Sequence, residues 1–557
     1  MVVGVGENKA RTFEGRGCGE PLIDMRTIPA MVDRLCELRP DAAPFLIDPA
    51  GGRSWSPETF VLGVRRLAAR LADQHHVRPG DRVMICSRNI PEAFFAHVAV
   101  MYLGAITAPV SPTDTPDQFR HLCRLTSPVL WLRGPCSEDL AQAMGEQAQD
   151  LVGVFAAAQS EAQAYPAGAD VDPQAPAAII TTSGTTSSSK GVCLTHYNLA
   201  INAEALRRVH DLERNRVHLC ILPLYHGNAF GLSMVTSIYA GCQVILMDGF
   251  PGPAIWDVAR QHRPQILSAT PSVLQALSRR RAPCDAVASF SHVISAAAPL
   301  SPAVARAFVA VTGVPVHQGY GLSECTNFAT ATPVGLPADT YQALLDDDRL
   351  SIGPAVFGNA VEVLDRQGRP CGEGEEGELH IRGHNVMLGY WGDAEATGAA
   401  LGAGALVTGD IGYFKTILGQ RYYYISGRRK EIIIRYGENH SPAAIELTLA
   451  RLSEIAPFAV CGFENSHCGE EIGLYLHCAR TPQREARVRA ILEACGRHAR
   501  PRVVLFGTSP VPTTVTGKVR RSELRTRFAA YAEAAMGDGL VFSEHRDAAA
   551  PRAEAVR

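Results

Sequence analysis

The stretch TTSGTTSSSKGVCLTH, residues 181–196, crowds hydroxyl side chains, one glycine and one lysine between an apolar strand and what reads as a helix. Hydroxyls and free backbone N–H groups in a polar loop after a buried strand suit an anion such as phosphate. The competing reading is a Ser/Thr-rich surface turn or linker. Known motifs narrow the choice. A Walker A loop needs Gly before its Lys and Ser or Thr after it, whereas Ser189 precedes Lys190 and Gly191 follows. No G-x-G-x-x-G fingerprint follows the early strands, and the hydrolase elbow G-x-S-x-G is approached only in GLSEC, where Cys325 replaces the last glycine.

Outward from the loop, apolar runs alternate with helical patterns. DRVMICS (81–87) reads as a buried strand, NIPEAFFAHVAVMYLG follows as a helix with Asn89 as N-cap and Gly104 as stop, and AITAPV is again a strand, which makes a βαβ unit. The rhythm recurs through residues 216–247, 264–280 and 292–321, so the first three hundred residues read as mainly parallel α/β, with ligand sites expected at strand C-termini. After about residue 350, AVEVLD, GELHIRG and RYYYIS are short strands between Gly-rich turns and suggest antiparallel sheet. A smaller α+β pattern starts near Ser426, and an Ala/Glu/Arg-rich tail beyond about 537 reads as mobile.

At 557 residues the chain exceeds one ordinary core and implies at least two domains. A formal net charge of -3 gives no basic field for nucleic acid or an anionic membrane. Neither a signal peptide nor an apolar run long enough to insert in a membrane is visible, so the expected location is cytoplasmic. The 15 cysteines lack any C-x-x-C pair and read as free thiols, which disfavours metal bound through sulfur.

The loop resembles the phosphate loop of the adenylate-forming enzymes, the family of acyl-CoA synthetases, peptide-synthetase adenylation domains and beetle luciferases, in which it runs TSGTTG-x-PKG. Further motifs of that family follow in order: LPLYH (222–226), SAAAPL (295–300), QGYGLSE (318–324), TGD (408–410), ISGRRKEIII (425–434), YGENHSP (436–442) and TVTGKVRRSEL (514–524). The resemblance spans roughly residues 50–525. It implies an α/β fold with a large N-terminal domain (1–427) of parallel α/β subdomains and a β-barrel-like subdomain, a mobile α+β lid (428–536) and a tail (537–557).

It also implies chemistry. A carboxylate is a poor acyl donor, so such enzymes first form acyl-AMP from ATP with loss of pyrophosphate, and positioned electrostatics carry the catalysis. By resemblance, Thr182, Ser183, Gly184, Thr185, Thr186 and Lys190 hold the β and γ phosphates. Glu324 binds Mg²⁺, a hard cation suited to carboxylate and phosphate oxygens, and Ser323 touches the α-phosphate. Ala296, Ala297 and Ala298 line the adenine pocket where the family commonly has glycine at one or two positions. Gly319, Tyr320 and Gly321 complete that wall, Tyr320 beside the adenine or the acyl group. Asp410 takes the ribose hydroxyls with Arg428 in support, and Lys518 bridges carboxylate, α-phosphate and ribose during adenylation. Lys430 matches the hinge, Gly437 lies beside the pantetheine channel, and His226 flanks the acyl pocket.

Residues 222–240 lack the aspartate that pairs with an amino acid's ammonium in peptide synthetases. The resemblance therefore implies a small non-amino-acid carboxylic acid as substrate and CoA as acceptor, with a separate acyl carrier protein as second candidate. Ser187 and Ser189 stand where the family has glycine and proline, at a cost of about 1 kcal/mol each if the backbone is compatible. Two alternatives to the ordinary acyl-CoA ligase follow: an enzyme that mainly converts supplied acyl-AMP to the thioester, and a non-catalytic nucleotide or acyl-adenylate binder.

Overall fold

The computed structural model describes residues 9–40, 43–182, 189–279, 282–402, 404–494, 499–514, 517–534 and 539–545. They divide into two compact units: residues 1–362, 380–408 and 415–423 form one, and 363–379, 409–414 and 424–557 the other.

Two sheets organise the first unit. In one, Arg82–Cys86 is central, with Ile106–Val110 and Leu130–Arg133 parallel on either side. Its connecting helix Pro91–Tyr102 is buried at every position, as expected of a helix hydrophobic all round. Phe94 and Phe95 join Phe60, whose ring lies 4.8 Å from Phe95 and 4.7 Å from Phe45. In the other sheet, Val217–Cys220 has Gln243–Leu246 on one side and Ile266–Ala269 on the other, all parallel, and the latter continues through His292–Ser295 to Val316–Tyr320. The chain thus departs in opposite directions from one strand in each sheet, and each divergence leaves a crevice at the strand C-termini.

The N-cap reading of Asn89 needs correction. The cap position is Ile90, without a side-chain cap bond. The Asn89 amide instead crosses between the sheets: Nδ2 donates to Leu222 O (2.9 Å) and Met247 O (3.0 Å), and Oδ1 accepts from Leu224 N (2.9 Å). One side chain thereby fixes the crevice of one sheet against the switch loop of the other.

The opening loop also sits differently from the sequence reading. It joins the antiparallel strands Pro176–Thr181 and Gly191–Thr195, and the helix His196–Val209 begins only after the second strand, behind a Thr195/Asn198 capping box. The helix that follows the loop in sequence is therefore separated from it by the strand Gly191–Thr195.

From residue 359 to 428 the strands Asn359–Leu364, Gly377–Gly383, Leu406–Ile417 and Gln420–Arg428 follow chain order. Gly409 and Asp410 of TGD lie inside the twelve-residue strand Leu406–Ile417, with Gly409 at φ +73°. In the second unit, Ile433–Arg435, Phe458–Asn465, Gly469–His477 and Val503–Gly507 share one sheet. Val541–His545 pairs in parallel with Val503–Gly507, which corrects the reading of a mobile tail from 537 onward. Among the described residues no helix is long and apolar enough to cross a membrane, and every described cysteine is free.

Candidate active site

In the first unit the candidate residues gather where the strand C-termini of the second sheet meet the loop neck. The neck is closed by Thr182 N to Lys190 O (3.0 Å) and Lys190 N to Thr182 Oγ1 (3.3 Å), while His121 Nε2 donates to Ser189 O (2.8 Å). Ser183, Gly184, Thr185, Thr186 and Ser187 lie outside the described residues. Lys190 Nζ sits 4.7 Å from the centroid of the Tyr390 ring, within cation–π range. The Tyr390 hydroxyl donates to Glu324 Oε1 at 2.7 Å. Burial, followed by the charge and acceptance of Glu324, pushes the phenol pKa up, so it stays a donor at physiological pH.

Glu324 lies on the short turn Ser323–Cys325 after the strand Val316–Tyr320. The next residue but one, Thr326, has φ 68° and ψ −55°, and Asn327 N donates to Cys325 O across it (2.7 Å), which is a strained γ-turn costing about 1–3 kcal/mol. Its surroundings hold it: Thr326 Oγ1 donates to Asn385 O (2.6 Å), and Phe328 O accepts from Asn202 (3.0 Å) and Asn385 (3.1 Å). Close approach explains both glycines of QGYG. A Cβ on Gly319 would stand 2.1 Å from the Phe328 ring, and one on Gly321 1.8 Å from Asn327 O. Tyr320 between them is half-buried and pairs in register with Thr330.

Ala296 is buried, Ala298 half-buried and Ala297 exposed at φ +72°. An alanine here holds a backbone conformation that glycine adopts freely. The departure from glycine at Ala297 therefore acts on the backbone.

His226 closes the switch loop. Burial pushes its pKa down to about 4, and its Nε2 is buried without a hydrogen-bond partner. Gly227 faces the Glu324 turn, since a Cβ there would meet Thr326 O at 3.7 Å and Ser323 Oγ at 4.0 Å. Asn228 then spans the crevice: its Oδ1 accepts from Ser268 Oγ at 2.9 Å, and its Nδ2 is buried without an acceptor. The following segment Ala229–Thr236 is π-helical, a form that often marks functional positions.

The second unit assembles another set. Asp410 is 3% exposed and accepts from Arg428 Nε at 2.8 Å. Lys518 closes a tight loop, with its N–H on Thr514 Oγ1 (3.1 Å) and its carbonyl accepting from Thr514 N (2.8 Å). Burial and then the Arg428 charge pull its pKa down, opposed by Glu431 and Asp410, which places all four groups in one electrostatic neighbourhood. Arg521 braces this corner through Glu431 (2.9 Å) and Glu446 (2.6 and 2.8 Å). Lys430 is exposed on the turn Arg429–Glu431, after the last crossing between units at residues 423 and 424. Tyr436 (φ 51°) and Gly437 (φ 81°) form the two-residue turn between Ile433–Arg435 and Glu438–His440, and a Cβ on Gly437 would meet nothing within 4 Å.

Tyr390, Thr326 and Asn228 were not singled out by sequence reasoning, and Asn89 was read only as a helix cap. GYWGD (389–393) offered an aromatic residue beside two glycines as a signal, but its partner Glu324 is 66 residues away. Among the described residues, no three His, Cys, Asp or Glu side chains converge as a metal cage.

A parallel α/β sheet with Lys190 and Glu324 at its C-terminal crevice defines an α/β protein with a charged ligand site. The AMP-binding enzyme family matches residues 32–391, and the chain belongs to that family. It is 30% identical over 531 residues to a sulfoacetate–CoA ligase of Cupriavidus necator, covering 90% of this chain and 99% of that protein. It is 29% identical over 514 residues to a 4-coumarate–CoA ligase-like protein of Oryza sativa subsp. japonica, covering 86% and 83%. The ATP-bound MatB crystal structure from Rhodopseudomonas palustris shares its fold, with a TM-score of 0.76 at 24% identity over 90% of this chain and 99% of that one.

Proposed function

We propose that this enzyme is an AMP-forming acid–thiol ligase. In the first half-reaction an oxygen of a carboxylic acid attacks the α-phosphorus of ATP, pyrophosphate leaves, and acyl-AMP forms. In the second, the thiol sulfur of CoA attacks the acyl carbon, its proton is lost, and AMP departs. CoA is the acceptor proposed, and the pantetheine of a carrier protein presents the same thiol. A cytoplasmic location accords with the free thiols and with both substrates.

The observation that carries the reading is the placement of Lys190 and Glu324 on one phenol at the C-terminal crevice of an AMP-binding fold. Lys190 and the loop hydroxyls receive the β and γ phosphates, and Ser323 receives the α-phosphate. Glu324 suits Mg²⁺: one carboxylate oxygen is anchored by Tyr390, and a single carboxylate completed by phosphate oxygens is the usual donor set of that ion. When bound, Mg²⁺ supplies neutralisation of phosphate charge. Asp410 accepts from the ribose hydroxyls beside Arg428, Lys518 stabilises charge developing during adenylation, and Gly437 borders the path of pantetheine. The two units correspond in this reading to a large domain and a lid, with Lys430 at the hinge. The substrate is a carboxylic acid without an α-ammonium, because the switch loop 222–240 carries no carboxylate to pair with one.

Pyrophosphate exchange and thioester formation from synthetic acyl-adenylates test the proposal together. The wild type performs both, and Lys518→Ala loses most of the exchange while keeping much of the thioester step. Equal loss of both in a folded variant removes Lys518 from its assigned half-reaction. Absence of both from the wild type across a broad panel of acids overturns the ligase.

A further inference from the structure

We propose that Tyr390 is a positioning residue that keeps Lys190 and Glu324 apart, each held by a different part of one side chain, so that the cation remains available for phosphate and the carboxylate for a divalent cation. The inference rests on the ligase reading and extends it to a residue with no assigned role.

Two opposite charges at the rim of one crevice would ordinarily pair. Paired, each would neutralise the other, and a nucleotide would have to break the pair before using either. Lys190 and Glu324 do not pair directly: the ammonium lies over the Tyr390 ring face, and the carboxylate accepts the hydroxyl at the ring's far end. The two holds differ in strength. A cation over a partly exposed ring is readily released, whereas a hydrogen bond to a charged acceptor is among the stronger neutral-donor contacts. Phosphate therefore draws Lys190 away easily while Glu324 stays in place.

The backbone around Tyr390 is built to hold this arrangement. Tyr390 pairs in register with Val192, two residues beyond Lys190, and Trp391 N donates to Gly191 O (2.7 Å). On the other side, Met387 N donates to the carbonyl of Glu324 itself (2.8 Å). One short segment thus grips the main chain of Glu324 and of Gly191 and Val192, the two residues after Lys190, while its tyrosine lies between the charged side chains. Its own position is fixed by Tyr390 N on Thr397 Oγ1 (2.9 Å), at the helix Ala394–Leu401, and by Gly389, where a Cβ would meet Thr397 Cγ2 at 2.8 Å. The persistence of the phenol as a donor across physiological pH supports the same role.

Calorimetric binding of a non-hydrolysable ATP analogue, with and without Mg²⁺, tests the inference without turnover. In the wild type Mg²⁺ tightens binding, and its failure to do so would count against the Mg²⁺–Glu324 reading rather than against Tyr390. Tyr390→Phe keeps the ring under Lys190 and removes the hydroxyl. It is expected to lower the Mg²⁺-dependent tightening about tenfold, to leave metal-free binding within about twofold of wild type, and to keep the thermal midpoint. In a Glu324→Gln background the same change has no further effect, because both substitutions remove one interaction. Tyr390→Leu, which also removes the ring, weakens metal-free binding too. Should Tyr390→Phe lower the thermal midpoint, the same comparison is made at a temperature at which both proteins are folded. The inference is overturned if Tyr390→Phe binds the Mg²⁺ complex like wild type, if it weakens binding equally with and without metal, or if its effect adds fully to that of Glu324→Gln.

Discussion

Replacing Gly321 by alanine would place a Cβ 1.8 Å from the carbonyl oxygen of Asn327 and 2.8 Å from its carbonyl carbon. Ordinary contact requires roughly 1.5 Å more, and neither atom belongs to a side chain that can rotate away. The displacement must pass into residues 325–327, where Asn327 N holds the γ-turn at 2.7 Å and Thr326 Oγ1 holds Asn385 O at 2.6 Å. Overpacking of this kind costs about 1–3 kcal/mol of stability. The functional loss is larger, because Glu324 immediately precedes the turn, and a misplacement near 1 Å costs on the order of 10²-fold in rate. Pyrophosphate exchange is the direct assay, accompanied by a thermal melt. Gly227→Ala is the control, since its Cβ meets Thr326 O only at 3.7 Å and the fold accommodates it. Wild-type exchange by a fully folded Gly321→Ala enzyme would refute the argument that this close backbone approach positions Glu324. A destabilised variant with undiminished exchange would remove Glu324 from the reacting centre.

Ala297→Gly should raise stability by about 1 kcal/mol by relieving a left-handed alanine, while the same change at Ala298, which is not in that region, should lower it; denaturant midpoints moving in the same direction would disprove the backbone argument. Acidification should unfold the first unit well above pH 4. Burial depresses His97, His196 and His292 to about 3 and His218, His226 and His317 to about 4, so below the unfolded value near 6.5 the unfolded chain binds more protons and stability falls with pH. His210, whose ring nitrogens are both buried and unpartnered, stacks on His292 at 5.8 Å, and His210→Leu should move the acid midpoint, followed by circular dichroism, to lower pH; an unmoved midpoint, or stability flat from pH 7 to about 4.5, contradicts this. At Gly437 the turn conformation alone should cost about 1 kcal/mol on Gly437→Ala with little loss of thioester formation, whereas Gly437→Trp should block that step; equal kinetic effects would mean backbone strain rather than a channel.

What could be read from the sequence was whatever local pattern determines. The βαβ rhythm around residues 81–110 and the ordered motifs gave the fold and family, because strand and helix periodicity and short glycine-bearing turns are properties of neighbouring residues. Contacts made across the fold were not accessible. Asn89 looked like a helix cap by position, yet its amide serves residues 133 to 158 positions away. Asp410 was reached only through its motif, and TGD by itself does not announce the twelve-residue strand that buries it. Tyr390 had no local signature, since its role lies in two charged residues brought together only by the sheet.

The closed neck at Thr182 and Lys190 has a bearing on how this family member can vary. Because the ladder between Pro176–Thr181 and Gly191–Thr195 already brings the two ends of the loop together, changing the loop's length adds only a logarithmic increment, about 0.6 kcal/mol for a doubling. Substrate grip and fold stability are thereby separated in the chain. Departures such as Ser187 and Ser189 can accumulate between the two strands while the ladder that joins them is kept.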